Sequence, residues 1–241
     1  MAAGIWCDIL CCRSVGAGEC VNMSRAKWAS EMISPAERRH SLVGPAALWQ
    51  MKRAFQIGFL RSVGLLPDHY LLDLGCGTLR GGIPIIEYLE PGHYYGVEPR
   101  YHVLQEGRQE LIESGLQDRL PHLIHADRLR DCDLGRHFDI VWAFSVLIHL
   151  TDEILNTALA FVKRHLSPDG SFYANVNIGE ASHDGSWQGF PHVYRSVKFY
   201  QGACLNAGLS LQLMGSLREL GHVSGNPGLG DAQQMLQVKR L

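Results

Sequence analysis

An acid and two glycines close an apolar run in Leu71-Leu72-Asp73-Leu74-Gly75-Cys76-Gly77-Thr78. Such a run reads as a buried strand, and glycines beyond it let the backbone turn tightly and approach a ligand. A second apolar stretch, Tyr94-Tyr95-Gly96-Val97, ends in Glu98. In doubly wound α/β sheets ligands bind where strands end, and an acid about 20 residues past a glycine turn commonly takes ribose hydroxyls. The two segments together predict a site for a nucleoside-containing cofactor.

The residues also discriminate among such cofactors. A nicotinamide fingerprint requires glycine at the first, third and sixth positions; counted from Gly75, the sixth is Arg80. Asp73 would set a negative charge where a dinucleotide places its pyrophosphate, whereas a cationic ligand without phosphate is not repelled. S-adenosylmethionine has that chemistry: an adenosine, an amino-acid tail and a sulfonium. Asp73 is the candidate for its amino group, directly or through water. Gly75, Cys76 and Gly77 are candidates for the turn that cradles it. Arg80 is read equally as a partner for its carboxylate or as a helix-surface residue.

At this point the chain resembles the class I S-adenosylmethionine-dependent methyltransferases, of the small-molecule type. Leu72-Asp73-Leu74-Gly75-Cys76-Gly77 resembles the family's first motif, and Tyr95-Gly96-Val97-Glu98 its second strand with the ribose-binding acid. His125-Ala126-Asp127 is similar to the end of the third strand, which implies that Asp127 meets the adenine amino group. Phe138 to Ser145 resembles the fourth strand, and Leu166-Ser167-Pro168-Asp169-Gly170-Ser171-Phe172 the turn into the fifth. The segments keep the family's order from about residue 65 to residue 241. One departure is Leu79, which stands where many members have a third glycine. The resemblance implies a Rossmann-like, doubly wound, mainly parallel seven-stranded sheet whose last strand is antiparallel.

Methyl transfer is a single in-line displacement, so aligning nucleophile, carbon and sulfur does much of the work. An acceptor that carries a proton on its nucleophile also needs a base. Ser145 and His149 lie just beyond the fourth strand, whose end faces the transferring methyl in the resembled family. Ser145 is assigned to the cofactor, and His149 is the candidate base, since an unperturbed imidazole titrates near 6.5. The segment after the fifth strand is rich in polar and aromatic residues, and a long mixed loop of this kind is often functional. His183, Trp187, His192 and Tyr194 from it are candidate acceptor contacts, and Trp49 is a further one. A metal site at His183, Asp184 and His192 lacks tight ligand spacing and is not expected.

These residues need elements to hold them. Strands are expected over 70–74, 94–98, 122–126, 138–144, 171–177, 209–216 and 233–240, with helices over 82–89, 103–114, 152–165 and 197–207. Alternating strand and helix argues a mainly parallel sheet covered on both faces. Ahead of it, Ser34-Pro35-Ala36-Glu37 is a helix-start pattern. Leu48, Met51, Phe55, Phe59 and Val63 then recur at helical steps. The expected organisation is therefore an extension over 1–22, poorly ordered, a helical cap over 23–66 and a cofactor-binding core over 67–241.

With 241 residues, 46% of them hydrophobic, the chain suits one α/β domain with added elements. A net charge of −2 gives no electrostatic footprint for nucleic acid. No apolar run approaches the length of a membrane span. The seven cysteines form no metal-ligand series and read as free thiols of a cytoplasmic protein. The sequence sets no oligomeric state; a homodimer is compatible with it. The expected activity is methyl transfer from S-adenosylmethionine to O or N of a small organic acceptor. Its rivals are a protein, peptide or glycan methyltransferase and a catalytically silent scaffold of the same fold.

Overall fold

A computed structural model describes residues 33–180, 182, 185–226 and 230–241, without the side chain of Trp187. The expectations for residues 1–22, for the first part of the helical cap and for His183 lie outside these residues. By its internal contacts the chain divides into Met1–Arg38 and Arg39–Leu241. In the first unit Ser34 and Glu37 form the expected capping box. The Glu37 amide donates to Ser34 Oγ (3.1 Å), and the Ser34 amide donates to Glu37 Oε2 (3.0 Å). This cap opens α1 (Pro35–Ser41).

In the larger unit, a 3-10 turn (Ala46–Leu48) leads into α2 (Trp49–Ser62). Then follow β1 (Leu71–Leu74), α3 (Gly82–Tyr88), β2 (Tyr94–Glu98), α4 (Tyr101–Glu113), β3 (His122–His125) and β4 (Phe138–Ala143). A 3-10 turn (Leu147–His149) precedes α5 (Asp152–His165) and β5 (Leu166–Ile178). Three two-residue strands follow: β6 (Ser186–Trp187), β7 (Phe190–Pro191) and β8 (Tyr194–Arg195). The chain ends with α6 (Val197–Asn206), β9 (Leu209–Ser216) and β10 (Gln234–Arg240).

The sheet runs β3-β2-β1-β4-β5-β10-β9, with β8 paired to the end of β5. β1 lies parallel to β2 (Leu71↔Tyr94) and to β4 (Leu71↔Ile140). β10 is antiparallel to both of its neighbours. The seven-stranded, mainly parallel sheet expected from the sequence is therefore present, extended by the short β8.

Every residue of β1 is buried, which is what a central parallel strand covered on both faces requires. The two-residue period splits its side chains. Leu72 and Leu74, with Val141 of β4, pack on Leu155, Leu159 and Val162 of α5 and on Tyr200 of α6. Leu71, with Ile140 and Trp142, packs on Phe55, Phe59 and Leu60 of α2, Ile83 and Ile86 of α3, and Leu104 of α4. Each such side chain contributes roughly 1.5–3 kcal/mol by leaving water.

The sequence placed a turn over residues 166–170, yet β5 already pairs there, Leu166 with Phe138, before a register shift. Gly170 makes this possible. A Cβ on it would stand 2.8 Å from the Phe138 carbonyl oxygen, so only glycine admits so close an approach.

Beside this core Arg39 is almost wholly buried against α4. Its Nη1 donates to Glu110 (2.7 Å) and to Glu113 (2.7 Å), and its Nε to Glu106 (3.2 Å). The segment that follows α1, Val43 to Pro45, is thereby held over the sheet's ligand-binding edge, where Val43 accepts from Arg80 Nη1 at 2.7 Å.

Candidate active site

The carboxyl ends of β2, β1, β4 and β5 open into one cavity of about 580 Å³. That lies within the usual range of small-molecule sites, roughly 300–1,000 Å³. Strand order divides it. Glu98 and Arg100 from β2, and Asp73, Gly75 and Gly77 from β1, line one half. Phe144 and Ser145 from β4, Asn177 from β5 and Gly230, Ala232 and Gln233 ahead of β10 line the other.

In the first half the glycine turn leaves no room for side chains. A Cβ on Gly75 (φ 79°) would stand 2.5 Å from Val146 Cγ2, and one on Gly77 (φ 58°) 2.7 Å from Val43 Cγ1. Leu79 itself takes φ 61°, so the turn keeps a left-handed residue where the expected third glycine is missing. Its fully buried side chain offsets the steric cost.

Asp73 is buried and accepts a hydrogen bond from Tyr94 Oη at 2.7 Å. Burial pushes its carboxyl up to about 7; the Tyr94 bond and the Arg80 charge pull down, and Glu98 adds to the rise. Glu98 is equally buried. Its Oε2 accepts from the Gly77 amide (3.0 Å) and its Oε1 from Arg100 Nε (2.7 Å). Beneath the turn, burial raises the Cys76 thiol well above its ordinary range. Arg80 lines the cavity too, with its Nε buried and unsatisfied among the described residues.

Beyond β4, Ser145 holds φ 61°, sparsely populated for a residue with a side chain, and its amide donates to Asn175 Oδ1 at 2.7 Å. Asn175 continues to Gln233 (2.5 Å), Gln233 to Asn177 (3.0 Å) and Asn177 to the Val193 carbonyl (3.1 Å). This chain of amides ties β5 to the segments on either side.

The β6–β7 hairpin turns at Gln188 (φ 51°) and Gly189 (φ 83°), as a two-residue turn with both positions left-handed. It sets Phe190 into the cavity and 5.5 Å under the Arg100 guanidinium. It also presents the Pro191 carbonyl to His149 Nδ1 at 2.9 Å. A carbonyl only accepts, so Nδ1 carries the proton and Nε2 is the basic nitrogen of the neutral ring. Burial lowers the His149 pKa, the Pro191 bond opposes that, and the charges of His192 and Arg100 lower it further.

Of the residues singled out in the sequence, Asp73, Gly75, Cys76, Gly77, Arg80, Glu98, Ser145, His149, His192 and Tyr194 meet in this cavity. Trp49 does not: it is buried elsewhere, stacked on His40 with centroids 3.6 Å apart. Asp127 is exposed past the end of β3, the edge strand, and stands outside the lining.

Lys52, Gln56, Arg100, Phe190 and Gln233 line the cavity without having been singled out. Lys52 and Gln56 carried a signal: polar residues at helical spacing on the buried side of α2, among Trp49, Phe55 and Phe59. Arg100 follows β2 by two residues and is held by Glu98, whereas Phe190 and Gln233 are brought in by tertiary pairing.

Strand order and a glycine turn between two acids define a Rossmann-like domain with a nucleoside-cofactor site. The model of the methyltransferase-domain family matches residues 72–172, a span that runs from β1 into β5. Over that span the chain matches a methyltransferase domain, and its sheet has a Rossmann-like strand order.

Solved structures share the fold. The magnesium protoporphyrin IX methyltransferase of Synechocystis, with bound SAM, has a TM-score of 0.60 at 15% identity, covering 90% of this chain and 97% of that one. An S-adenosylmethionine-dependent methyltransferase of Clostridium acetobutylicum has 0.60 at 12%, covering 93% and 99%. The glycopeptide N-methyltransferase MtfA, complexed with SAM, has 0.60 at 16%, covering 78% and 94%. No curated protein matches the chain. Among the described residues, no helix is long and apolar enough to cross a membrane.

Proposed function

We propose that the protein transfers methyl from S-adenosylmethionine to O or N of a small organic acceptor by in-line displacement. The observation that carries this reading is the division of one cavity into two halves. A buried, raised acid beside a side-chain-free turn fits a cationic, phosphate-free cofactor. An aromatic and amide-lined half adjoins it at the end of β4. When bound, the cofactor supplies an electrophilic methyl group on a sulfonium.

The residues divide the remaining work. Asp73 pairs with the amino group, Glu98 with ribose hydroxyls, and the Gly75–Gly77 backbone approaches the cofactor closely. The amide chain from Asn175 to Gln233 fixes the far wall. The hairpin residue Phe190 helps keep water from the reacting groups, and desolvation strengthens the polar contacts inside. His149 Nε2 accepts the acceptor's proton where the nucleophile carries one. The fold relatives whose names specify a porphyrin and a glycopeptide lend support to an organic acceptor.

Calorimetric titration tests the cofactor assignment. Micromolar binding of S-adenosylmethionine and S-adenosylhomocysteine is expected; no binding of either by the folded protein would sink it.

The base is tested by pH. Because burial lowers the His149 pKa, the ring is neutral at pH 7 and becomes protonated only below its ordinary value of 6.5. With S-adenosylmethionine saturating throughout and an acceptor that must lose a proton, kcat/KM for the acceptor should fall on an acid limb below about pH 6.5. His149→Gln should lower kcat by roughly 10²-fold or more and erase that limb. An unchanged profile in this variant would remove His149 from the chemistry.

A further inference from the structure

The acceptor half of the cavity contains a cation that no described residue pairs with. Lys52 is 8% exposed, and its ammonium lies 6.0 Å from the centroid of the Phe144 ring at the end of β4. Among the described residues its Nζ makes no hydrogen bond and no ion pair. The acid whose charge acts on it, Asp231, accepts from His222 Nδ1 (2.8 Å) and from the Ser224 amide (3.0 Å). Burial and the Arg80 charge lower the Lys52 pKa to about 8, which leaves it mostly charged at neutral pH.

A buried charge without a partner is costly, and natural proteins almost always pair one. The charges around the cavity do not supply a partner. Lys52, Arg80 and Arg100 face two acids, Asp73 and Glu98, and Arg100 already holds Glu98. Asp73 belongs to the cofactor half, where a positively charged cofactor claims it. Bound S-adenosylmethionine would bring two positive charges, its ammonium and its sulfonium, and one carboxylate, for which Arg80 is the candidate, so it would add no net negative charge to the cavity.

We propose that the acceptor carries a carboxylate, and that Lys52 binds it against the Phe144 face. This rests on the methyltransferase reading and deepens it: the substrate class is a small organic acid whose nucleophilic O or N is separate from, or part of, that carboxylate. Lys52 is then the residue that selects acids over their neutral analogues, which meet an unpaired ammonium instead.

The test compares acetate, benzoate and 3-phenylpropionate with their primary amides, by calorimetry and thermal shift, with and without S-adenosylhomocysteine. At least one acid should bind the wild-type protein about tenfold or more tightly than its amide, the scale of a charge-assisted hydrogen bond. Lys52→Met should reduce that ratio to within about twofold while binding S-adenosylhomocysteine as before. Lys52→Arg should keep the preference, which a role as proton acceptor would not. Without ligand, Lys52→Met should melt no lower than wild type, because it removes an unpaired charge.

Equal binding of acids and amides, an acid preference that survives in Lys52→Met, or a marked loss of stability in that variant would each overturn the proposal. Failure of S-adenosylhomocysteine to bind would fall instead on the methyltransferase reading, and the acid arm without it still decides the role of Lys52.

Discussion

S-adenosylmethionine is expected to release a proton on binding, and to bind more tightly as the pH rises from about 5.5 to about 7. The cause is Asp73. In the free protein burial pushes its carboxyl up to about 7, so below that value the acid is mostly protonated. An ammonium beside it favours the ionised form. The proton lost on binding gives the affinity a slope of up to tenfold per pH unit below about 7, and none above. Calorimetry in buffers of different ionisation enthalpy reads the proton directly.

Asp73→Asn should abolish the release and weaken binding roughly 10- to 100-fold, the scale of a hydrogen bond to a charged group. The ligand-free protein shows the opposite sign. A folded pKa above the ordinary 3.8 means that the native state holds the proton more tightly than the unfolded chain. The stability this contributes is present at low pH and is lost as pH rises through about 7. Without ligand at about pH 8, Asp73→Asn should therefore melt above wild type. An affinity independent of pH over this range would remove Asp73 from the cofactor's amino group.

Arg39→Leu should cost roughly 3–5 kcal/mol of stability, read as a fall in the urea midpoint. Arg39 is the shared partner of Glu106, Glu110 and Glu113, which lie on one face of α4 at steps of four and three residues. Removing it leaves the largely buried Glu110 carboxylate with only Arg53 (4.0 Å) and His40 (3.6 Å) in reach. Those partners keep the loss toward the lower end. Replacing Glu110 by Leu as well should recover a large part of it, since a matched apolar pair leaves no stranded charge. A loss below about 1 kcal/mol in the single variant would mean that the network acts as an ordinary surface ion pair.

The parts of the fold written locally were legible in the sequence. Helix α5 and strand β9 begin and end where the sequence placed them, Asp152–His165 and Leu209–Ser216. Thr151 caps α5, two acids open it and three basic residues close it, all visible in sequence. The start of β5 was not legible, because it depends on a register shift against β4 and on Gly170 fitting beneath the Phe138 carbonyl. The same divide runs through the site. Asp73, Gly75, Gly77, Glu98 and Ser145 lie at strand ends, and strand ends converge in any such sheet. Gln233 reaches the cavity through a pairing with Asn175 that spans 58 residues, and no local pattern reports that; Arg100, two residues past Glu98 and bonded to it, was within local reach and was passed over. Trp49 was misplaced because a helical stripe shows which side is buried but not which neighbour buries it; His40 does so here.

The strand order also sets how the chain acquires its shape in time. β1 finds β2 within one helical connection, but its other neighbour, β4, lies 69 residues further along the chain, as the Tyr70–Asp139 contact marks. Closing so large a loop is slow compared with forming local structure. A half-sheet of β3, β2 and β1 can therefore exist first, with the β1 edge that pairs β4 open and its leucines lacking part of their cover on both faces. An open edge of that kind pairs readily with other chains. Recovery of this protein from denaturant should therefore depend on concentration, even if the finished sheet is stable.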